Sequence, residues 1–254
     1  MSGHSKWATI KRKKGATDAK RGQLFTKLTR EITISAKEGG GDPEANFRLR
    51  LAIQRARSEN MPAENIQRAI QRGSGGADGD GTQYEEIIYE GYGPNGVAML
   101  VQTLTDNRNR TVAEIRSAFT KAGGSLGESN SVGWMFEPKG VMVIEPRSGD
   151  DADELSLVAI DAGAEDVSVD DDGQVEVVTP FEGLRQVQET LTGQGLQVVS
   201  AERTMIPKTT MTLDDKSLEQ ALRLVDKLED LDDVQTVYTN LDLSEAGELM
   251  ANLG

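Results

Sequence analysis

The spacing of apolar positions predicts a helical bundle at the start of the chain. The first helix carries apolar residues at every fourth position, namely Leu24, Leu28, Ile32 and Ala36. This spacing places them on one helical face, and the glycines at 39–41 end the helix. The Asp42-Pro43 pair predicts the start of a second helix, because an aspartate oxygen caps free amides and proline needs no amide donor there. The run at 60–62 predicts the end of that helix and the start of a third.

Beyond a linker at 73–81, rich in glycine and aspartate, the pattern predicts alternating strands and helices. Strands at 84–89 and 97–104 and a helix at 111–122 form a first β-β-α piece. The region from 141 to 201 has the order β-α-β-β-α-β, which is the ferredoxin-like pattern, with its second helix opening at Thr179-Pro180. A final β-α-β piece has a strand at 210–213, a helix and a strand at 234–239. It is too small for a sheet of its own, so we expect it to join the first piece.

The predicted fold class is therefore α+β with three domains: an N-terminal helical bundle and two α/β-sandwich domains, one of them ferredoxin-like. Residues 1–77 are expected to form the basic helical domain with a flexible arm. Residues 78–135 and 206–254 would form a discontinuous α+β domain. Residues 136–205 would form the inserted ferredoxin-like domain.

The composition argues against an enzyme. The 254 residues include one histidine and no cysteine, which removes most nucleophilic and zinc chemistry. The glycines at 91, 93 and 96 spell G-x-G-x-x-G, but they join two strands, so we expect a hairpin and not a dinucleotide site. We expect no cofactor and no metal. No apolar run approaches the roughly 20 residues that cross a bilayer, so we expect a cytoplasmic protein without a membrane partner.

The net charge of −14 conceals an uneven distribution. Residues 1–72 contain 16 Lys and Arg against 7 Asp and Glu, whereas the remainder contains 12 against 35. A basic segment beside an acidic body is typical of proteins that contact nucleic acid. The alternative is a solvated charge run that aids solubility, but a chain at −14 does not need one. We therefore expect nucleic acid as the partner.

The candidate nucleic-acid-binding residues fall in two groups. The first is the basic arm and helix, comprising Lys6, Trp7, Lys11, Arg12, Lys13, Lys14, Lys20, Arg21, Lys27 and Arg30. Cations at phosphates release condensed counterions and give salt-sensitive affinity. Trp7 could stack on an exposed base or pack on the bundle, and the two alternatives are equally supported. The second group is Arg108 and Arg110, in a run at 106–111 that opens a helix, where free amides attract phosphate. Alternatively, Asp106 caps that helix and the arginines pair with acids on the body.

Several long motifs resemble the YebC family. They are GHSKW at Gly3, IKRKKG at Ile10, GGGDP at Gly39, NMP at Asn60, YEGYGPNGVA at Tyr89, TDNRNRT at Thr105 and FTKAGGSLG at Phe119. Because the resemblance starts at Gly3, we expect the basic start to be mature protein and not a targeting peptide. One departure is Asn130, where the family usually has glycine, which leaves the shape of that loop open.

The resemblance implies a three-domain α+β protein of the bacterial cytoplasm that binds DNA and regulates transcription. It also implies an alternative, because the family includes the mitochondrial translational activator of cytochrome oxidase subunit I. Some members act on the ribosome and ease synthesis of proline-rich stretches. Transcription regulation through DNA and translation regulation through binding of the ribosome or ribosomal RNA therefore both stay open. So do the preferred sequence, the regulated genes and the oligomeric state, for which a monomer is favoured.

Overall fold

The computed structural model describes residues 18–75, 84–147, 149–170 and 173–243. These residues form seven α-helices, two single-turn 3-10 helices (Pro94–Gly96 and Gly133–Met135) and two four-stranded sheets. In chain order the elements are α1 (Asp18–Gly39), α2 (Phe47–Ser58), α3 (Ala63–Gly73), β1 (Glu85–Tyr92), β2 (Ala98–Thr105), α4 (Arg108–Lys121), β3 (Ser125–Leu126), β4 (Phe136–Ile144), α5 (Ala152–Asp161), β5 (Asp166–Val169), β6 (Val175–Pro180), α6 (Leu184–Gly193), β7 (Val198–Pro207), α7 (Asp215–Glu229) and β8 (Val234–Thr239). The chain divides into two compact units: Glu137–Ile206, and a larger unit that contains the rest of the described chain.

The predicted helical bundle opens the larger unit. Its core contains the fully or nearly buried side chains of Leu28, Ile32 and Leu49, so the predicted apolar face of α1 is confirmed. The predicted start of α2 at Asp42 is wrong. Asn46 caps α2 by accepting a hydrogen bond from the Leu49 amide at 3.1 Å. Its Nδ2 donates to the carbonyls of Ser35, in the last turns of α1, and of Gly40, just after α1. One residue therefore ends the loop and starts the helix.

The first sheet has the strand order β3-β1-β2-β8, with all its neighbouring strands antiparallel. Helices α4 and α7 pack on it around a core that includes Phe119, Ile115 and Leu222. The predicted hairpin between β1 and β2 is confirmed, and Asn95 and Gly96 both take positive φ in its turn. The expected strand at 210–213 is reduced to an isolated bridge, and the two-residue strand β3 was not predicted because so short a segment has no alternating pattern.

The β-α-β-β-α-β element order predicted for the second unit is observed. The strand order is β5-β6-β4-β7, and both pairs that β6 forms, with β4 and with β5, are antiparallel. The predicted helix start at Thr179-Pro180 is wrong, because these residues complete β6 and pair with strand β4. Helix α6 begins at Leu184 after a turn.

No helix among the described residues has the length and the apolar character needed to cross a membrane.

Candidate nucleic-acid interface

The predicted binding residues divide by whether the structure describes them. Lys6, Trp7, Lys11, Arg12, Lys13 and Lys14 lie outside the described residues. The remaining six lie on two elements of the larger unit: Lys20, Arg21, Lys27 and Arg30 on α1, and Arg108 and Arg110 in the first turn of α4. The helix that contains the second group begins at Arg108, three residues earlier than predicted.

One buried carboxylate connects these two elements. Asp233 is 1% exposed and lies between α7 and β8. One of its oxygens accepts a hydrogen bond from Nη1 of Arg30 at 2.9 Å. The other accepts from Nη2 of Arg110 and from Oγ1 of Thr111, each at 2.7 Å, and from Oγ1 of Thr105 at 3.1 Å. Helix α1, the end of β2 and the start of α4 therefore meet at a single side chain.

The partners of Asp233 keep it ionised. Burial by itself would raise its pKa, but the hydrogen bonds from Arg110, Thr111 and Thr105 hold the pKa below its usual value. The bond to Asp233, together with one to Asp106, raises the pKa of Arg110 above its usual value. A buried charge needs such a complete set of partners, because an unpaired one is strongly destabilising.

The local geometry explains why α4 starts where it does. Asn107 is the N-cap, and its Oδ1 accepts a hydrogen bond from the Arg110 amide at 3.1 Å. The alternative in which Asp106 caps the helix is therefore wrong, since its carboxylate pairs with the Arg110 guanidinium at 2.8 Å. The alternative in which the arginines pair with acids on the body is confirmed for Arg110. Arg108 is exposed and lies near the Tyr89 hydroxyl, where its charge lowers the pKa that burial of this hydroxyl raises.

Helix α1 also contacts an acidic segment that sequence reasoning missed. We call residues 229–233, which contain four acids in five positions, the acidic segment. Nε2 of Gln23 donates to the Asp230 carbonyl at 2.6 Å and to the Asp232 carboxylate at 3.1 Å. Nζ of Lys27 donates to the Glu229 carbonyl. The signal that could have found this contact was the run of acids itself, set against a cationic helix.

Exposure therefore separates the six described candidates. Lys20, Arg21 and Arg108 are exposed, and the side chain of Arg110 is 42% exposed. Lys27 and Arg30 are half-buried, and the side chain of Arg30 is only 15% exposed. The exposed cations at the first turns of α1 and α4 can meet a large anion, whereas Arg30 mainly joins α1 to the body.

A second ion cluster fixes the helical bundle to the first sheet. The guanidinium of Arg48 lies 2.8–3.0 Å from carboxylate oxygens of Glu31, Glu38 and Glu86. Burial would lower the pKa of Arg48, but the three carboxylates raise it above its usual value. This arginine was not predicted as a binding residue, and its donors are directed to the protein itself.

The loop that contains Asn130 is built around another carboxylate. Glu90 accepts hydrogen bonds from the amides of Asn130, Val132 and Gly133 at 2.6–2.8 Å. Burial raises the pKa of Glu90, and these three amides lower it to a net value below the usual one. Asn130 has φ +66°, a conformation that glycine adopts freely and asparagine tolerates. The departure from the family's glycine therefore keeps a backbone that glycine would also allow.

The described residues contain no group of three His, Asp or Glu side chains arranged to hold a metal ion.

Nearly the whole chain matches models of one protein family. The TACO1/YebC protein N-terminal domain matches residues 5–76, and the TACO1/YebC second and third domain matches residues 84–241. These models are those of a regulator family with an N-terminal domain and two further domains. The chain belongs to the TACO1/YebC family, and the resemblance indicated by its motifs is confirmed.

Relatives match over nearly the whole chain. A "Probable transcriptional regulatory protein" of Geotalea uraniireducens is 58% identical, over 96% of this chain and 97% of the relative. A protein of the same name from Herpetosiphon aurantiacus is 56% identical, over 96% of both chains. The crystal structure of a conserved hypothetical protein from Aquifex aeolicus is similar with a TM-score of 0.79 at 45% identity, covering 89% of this chain and 91% of that one.

Proposed function

We propose that this protein is a non-enzymatic regulator of gene expression that binds DNA through the basic arm and the first turns of α1 and α4. The names of its relatives support a regulatory role. The observation that carries the proposal is the meeting of α1 and α4 at Asp233, which sets two cationic segments in one unit. Their exposed members are Lys20, Arg21, Arg108 and part of Arg110.

The charge distribution supports phosphate as the ligand of this surface. Each cation placed at a phosphate releases counterions, so several together give strong but salt-sensitive binding. The acids of the body disfavour contact elsewhere, which orients the protein on a polyanion. Phosphate contacts position a protein without selecting a sequence, so this surface supplies affinity more than base recognition.

The arm provides the test of the proposal. The variant in which Lys11, Arg12, Lys13 and Lys14 are all changed to alanine should bind duplex DNA more weakly. The slope of log affinity against log salt should become less negative, by roughly 0.9 for each phosphate that the variant no longer neutralises. The melting temperature should stay unchanged. An unaltered slope would reject the arm as a phosphate ligand.

A second candidate function is translation regulation through ribosomal RNA. One observation favours it: Trp134 is 65% exposed, and its indole N–H is bonded to the Ser131 carbonyl. A fixed, exposed aromatic ring suits stacking on an unpaired base, which is common in RNA recognition. Sedimentation separates the candidates. Co-migration with ribosomes at low salt that depends on the Lys11–Lys14 cluster supports the RNA function, and a sequence-specific footprint on duplex DNA supports the DNA function.

Within this proposal the three-domain division keeps the boundaries expected from the sequence, and residues 136–205 are assigned as an inserted ferredoxin-like domain. The strand order β5-β6-β4-β7, in which the first strand of the domain is central, supports that assignment. We assign no catalytic residue and no cofactor, and we propose that the protein acts as a monomer in the cytoplasm.

A further inference from the structure

One face of α1 carries a row of hydrogen-bond donors, most of which already bond to the acidic segment. Lys20, Gln23, Lys27 and Arg30 follow one another at intervals of three and four residues, which places them on one side of the helix. Gln23, Lys27 and Arg30 all donate hydrogen bonds to the acidic segment. Lys20, one turn before Gln23, is exposed. The acidic segment therefore covers the part of this face that follows the exposed first turn, which the proposed function assigns to nucleic acid.

The acceptors on the acidic segment resemble those of a phosphate chain. Gln23 and Arg30 each contact one carbonyl oxygen and one carboxylate oxygen, of Asp230, Asp232 and Asp233. Carboxylate and phosphate oxygens are both anionic acceptors of charge-assisted hydrogen bonds from such donors. The same donor hydrogens cannot serve the carbonyl and carboxylate oxygens of the acidic segment and a phosphate at the same time. Binding of phosphate along this face beyond Lys20 therefore requires the acidic segment to release Gln23 and Lys27.

The contacts are graded along the helix. The Arg30–Asp233 pair is buried, with side chains 15% and 2% exposed, so its separation would strand a buried charge. The bonds that Gln23 makes to Asp230 and Asp232 are exposed, and exposed contacts contribute little stability. The Lys27 bond to the Glu229 carbonyl, which lies between them and the Arg30 pair, is part-buried. The first half of α1 can therefore exchange partners while the Arg30–Asp233 pair stays closed as an anchor.

We propose that residues 229–232 of the acidic segment form an internal competitor that occupies the Gln23–Lys27 part of α1 and is displaced by nucleic-acid phosphate, while the Arg30–Asp233 pair stays closed. This proposal rests on the proposed function, since it extends the phosphate-binding surface of the first turn along the same face of α1. Displacement breaks hydrogen bonds of the free protein, so the observed affinity is lower than that of the uncovered face. Any partner or condition that moves the acidic segment away then strengthens nucleic-acid binding.

A covalent clamp tests the competition directly. The chain contains no cysteine, so Gln23→Cys and Asp230→Cys can be introduced together and joined by a short bis-maleimide that a reductant cleaves. Binding of a fluorescent DNA duplex, and of a single strand of the same length, is measured at low salt before and after cleavage. The clamped protein should bind more weakly, by a factor within the roughly 5- to 150-fold range usual for coupled sites. Cleavage should restore the affinity.

The outcomes separate the two proposals. Equal affinity before and after cleavage would overturn the internal competitor and leave nucleic-acid binding intact. If the unmodified protein binds neither probe at low salt, the proposed function fails first, and the competitor fails with it.

A milder substitution covers the case in which the cysteine variant does not fold. Asp232→Asn removes the exposed carboxylate that Gln23 contacts, and Asp215→Asn removes one at the opposite end of α7. The two variants change the net charge equally. Asp232→Asn should tighten binding several-fold more than Asp215→Asn does. An equal effect would mean that only the overall charge matters, and it would overturn the competitor.

Discussion

The two ends of helix α1 carry the same kinds of side chain in different surroundings. At the first turn, Lys20 and Arg21 are exposed to solvent. Two turns later, Lys27 and Arg30 are half-buried and donate to the acidic segment. Helix α4 repeats the contrast within one turn, where Arg108 is exposed and Arg110 pairs with two aspartates.

The contrast teaches that a cation's role is decided by its partner and its burial, not by its place in a basic run. A buried guanidinium that is paired with a carboxylate contributes to docking and has few donors left for an external phosphate. An exposed cation adds little to stability but can release counterions on binding. We therefore expect substitutions in the two sets to have separable effects on folding and on binding.

The largest expected effect is at the centre of the paired set. Asp233→Asn removes the carboxylate charge that pairs with both Arg30 and Arg110. Neither guanidinium then has its ion pair with residue 233. Breaking a buried pair in this way should lower the free energy of unfolding by about 3–5 kcal/mol. Urea denaturation measures the change. Glu114→Gln, an exposed site on α4, is the control and should stay within about 0.5 kcal/mol of the parent.

A smaller difference should separate the two arginines of α4. Arg110→Ala removes hydrogen bonds to Asp106 and Asp233, and because the side chain is 42% exposed we expect the free energy of unfolding to fall by only about 1–2 kcal/mol. Arg108→Ala should leave the stability within about 0.5 kcal/mol and weaken nucleic-acid binding instead. Equal losses of stability in the two variants would contradict the division into paired and exposed cations.

The loss of stability at acid pH should depend on the same carboxylate, that of Asp233. The pKa of Asp233 in the folded protein lies below its unfolded value of about 3.9. Its contribution is therefore complete above that value and is lost as the pH falls below about 4 and through the folded pKa. Asp233→Asn should have a shallower decline of stability between neutral pH and acid than the parent. Identical acid declines in thermal melts would exclude Asp233 as a contributor.

The sequence predicted most of the fold because its signals were local. Three features depend on nearby residues, and the structure confirms them: the apolar face of α1, the end of α2 before Asn60, and the hairpin whose turn lies at 94–96. The errors were also local: Asp42 and Thr179 resemble helix starts, but Asn46 caps α2 and Thr179 pairs in β6.

The candidate site was less predictable because its partners are distant in sequence. Composition placed Arg30 and Arg110 among the cations, but no local pattern indicates that both would donate to Asp233, which follows them by more than a hundred residues. The docking of α1 on the acidic segment depends on the same long-range packing. The role in nucleic-acid binding that the sequence predicts for the exposed cations and for the basic arm stays a prediction.

The most direct measurement compares two variants that each lose three positive charges from a chain of net charge −14. One replaces Lys20, Arg21 and Arg108 with alanine, at the first turns of α1 and α4. The other replaces Lys37, Arg116 and Lys121, which are exposed in the later parts of the same helices.

Binding to duplex DNA and to ribosomal RNA is titrated over a range of salt concentrations. The first variant should bind more weakly, and on duplex DNA its salt slope should be less negative by up to roughly 0.9 for each phosphate that it no longer neutralises. The second variant should retain the slope of the parent. Equal slopes in the two variants would contradict the account.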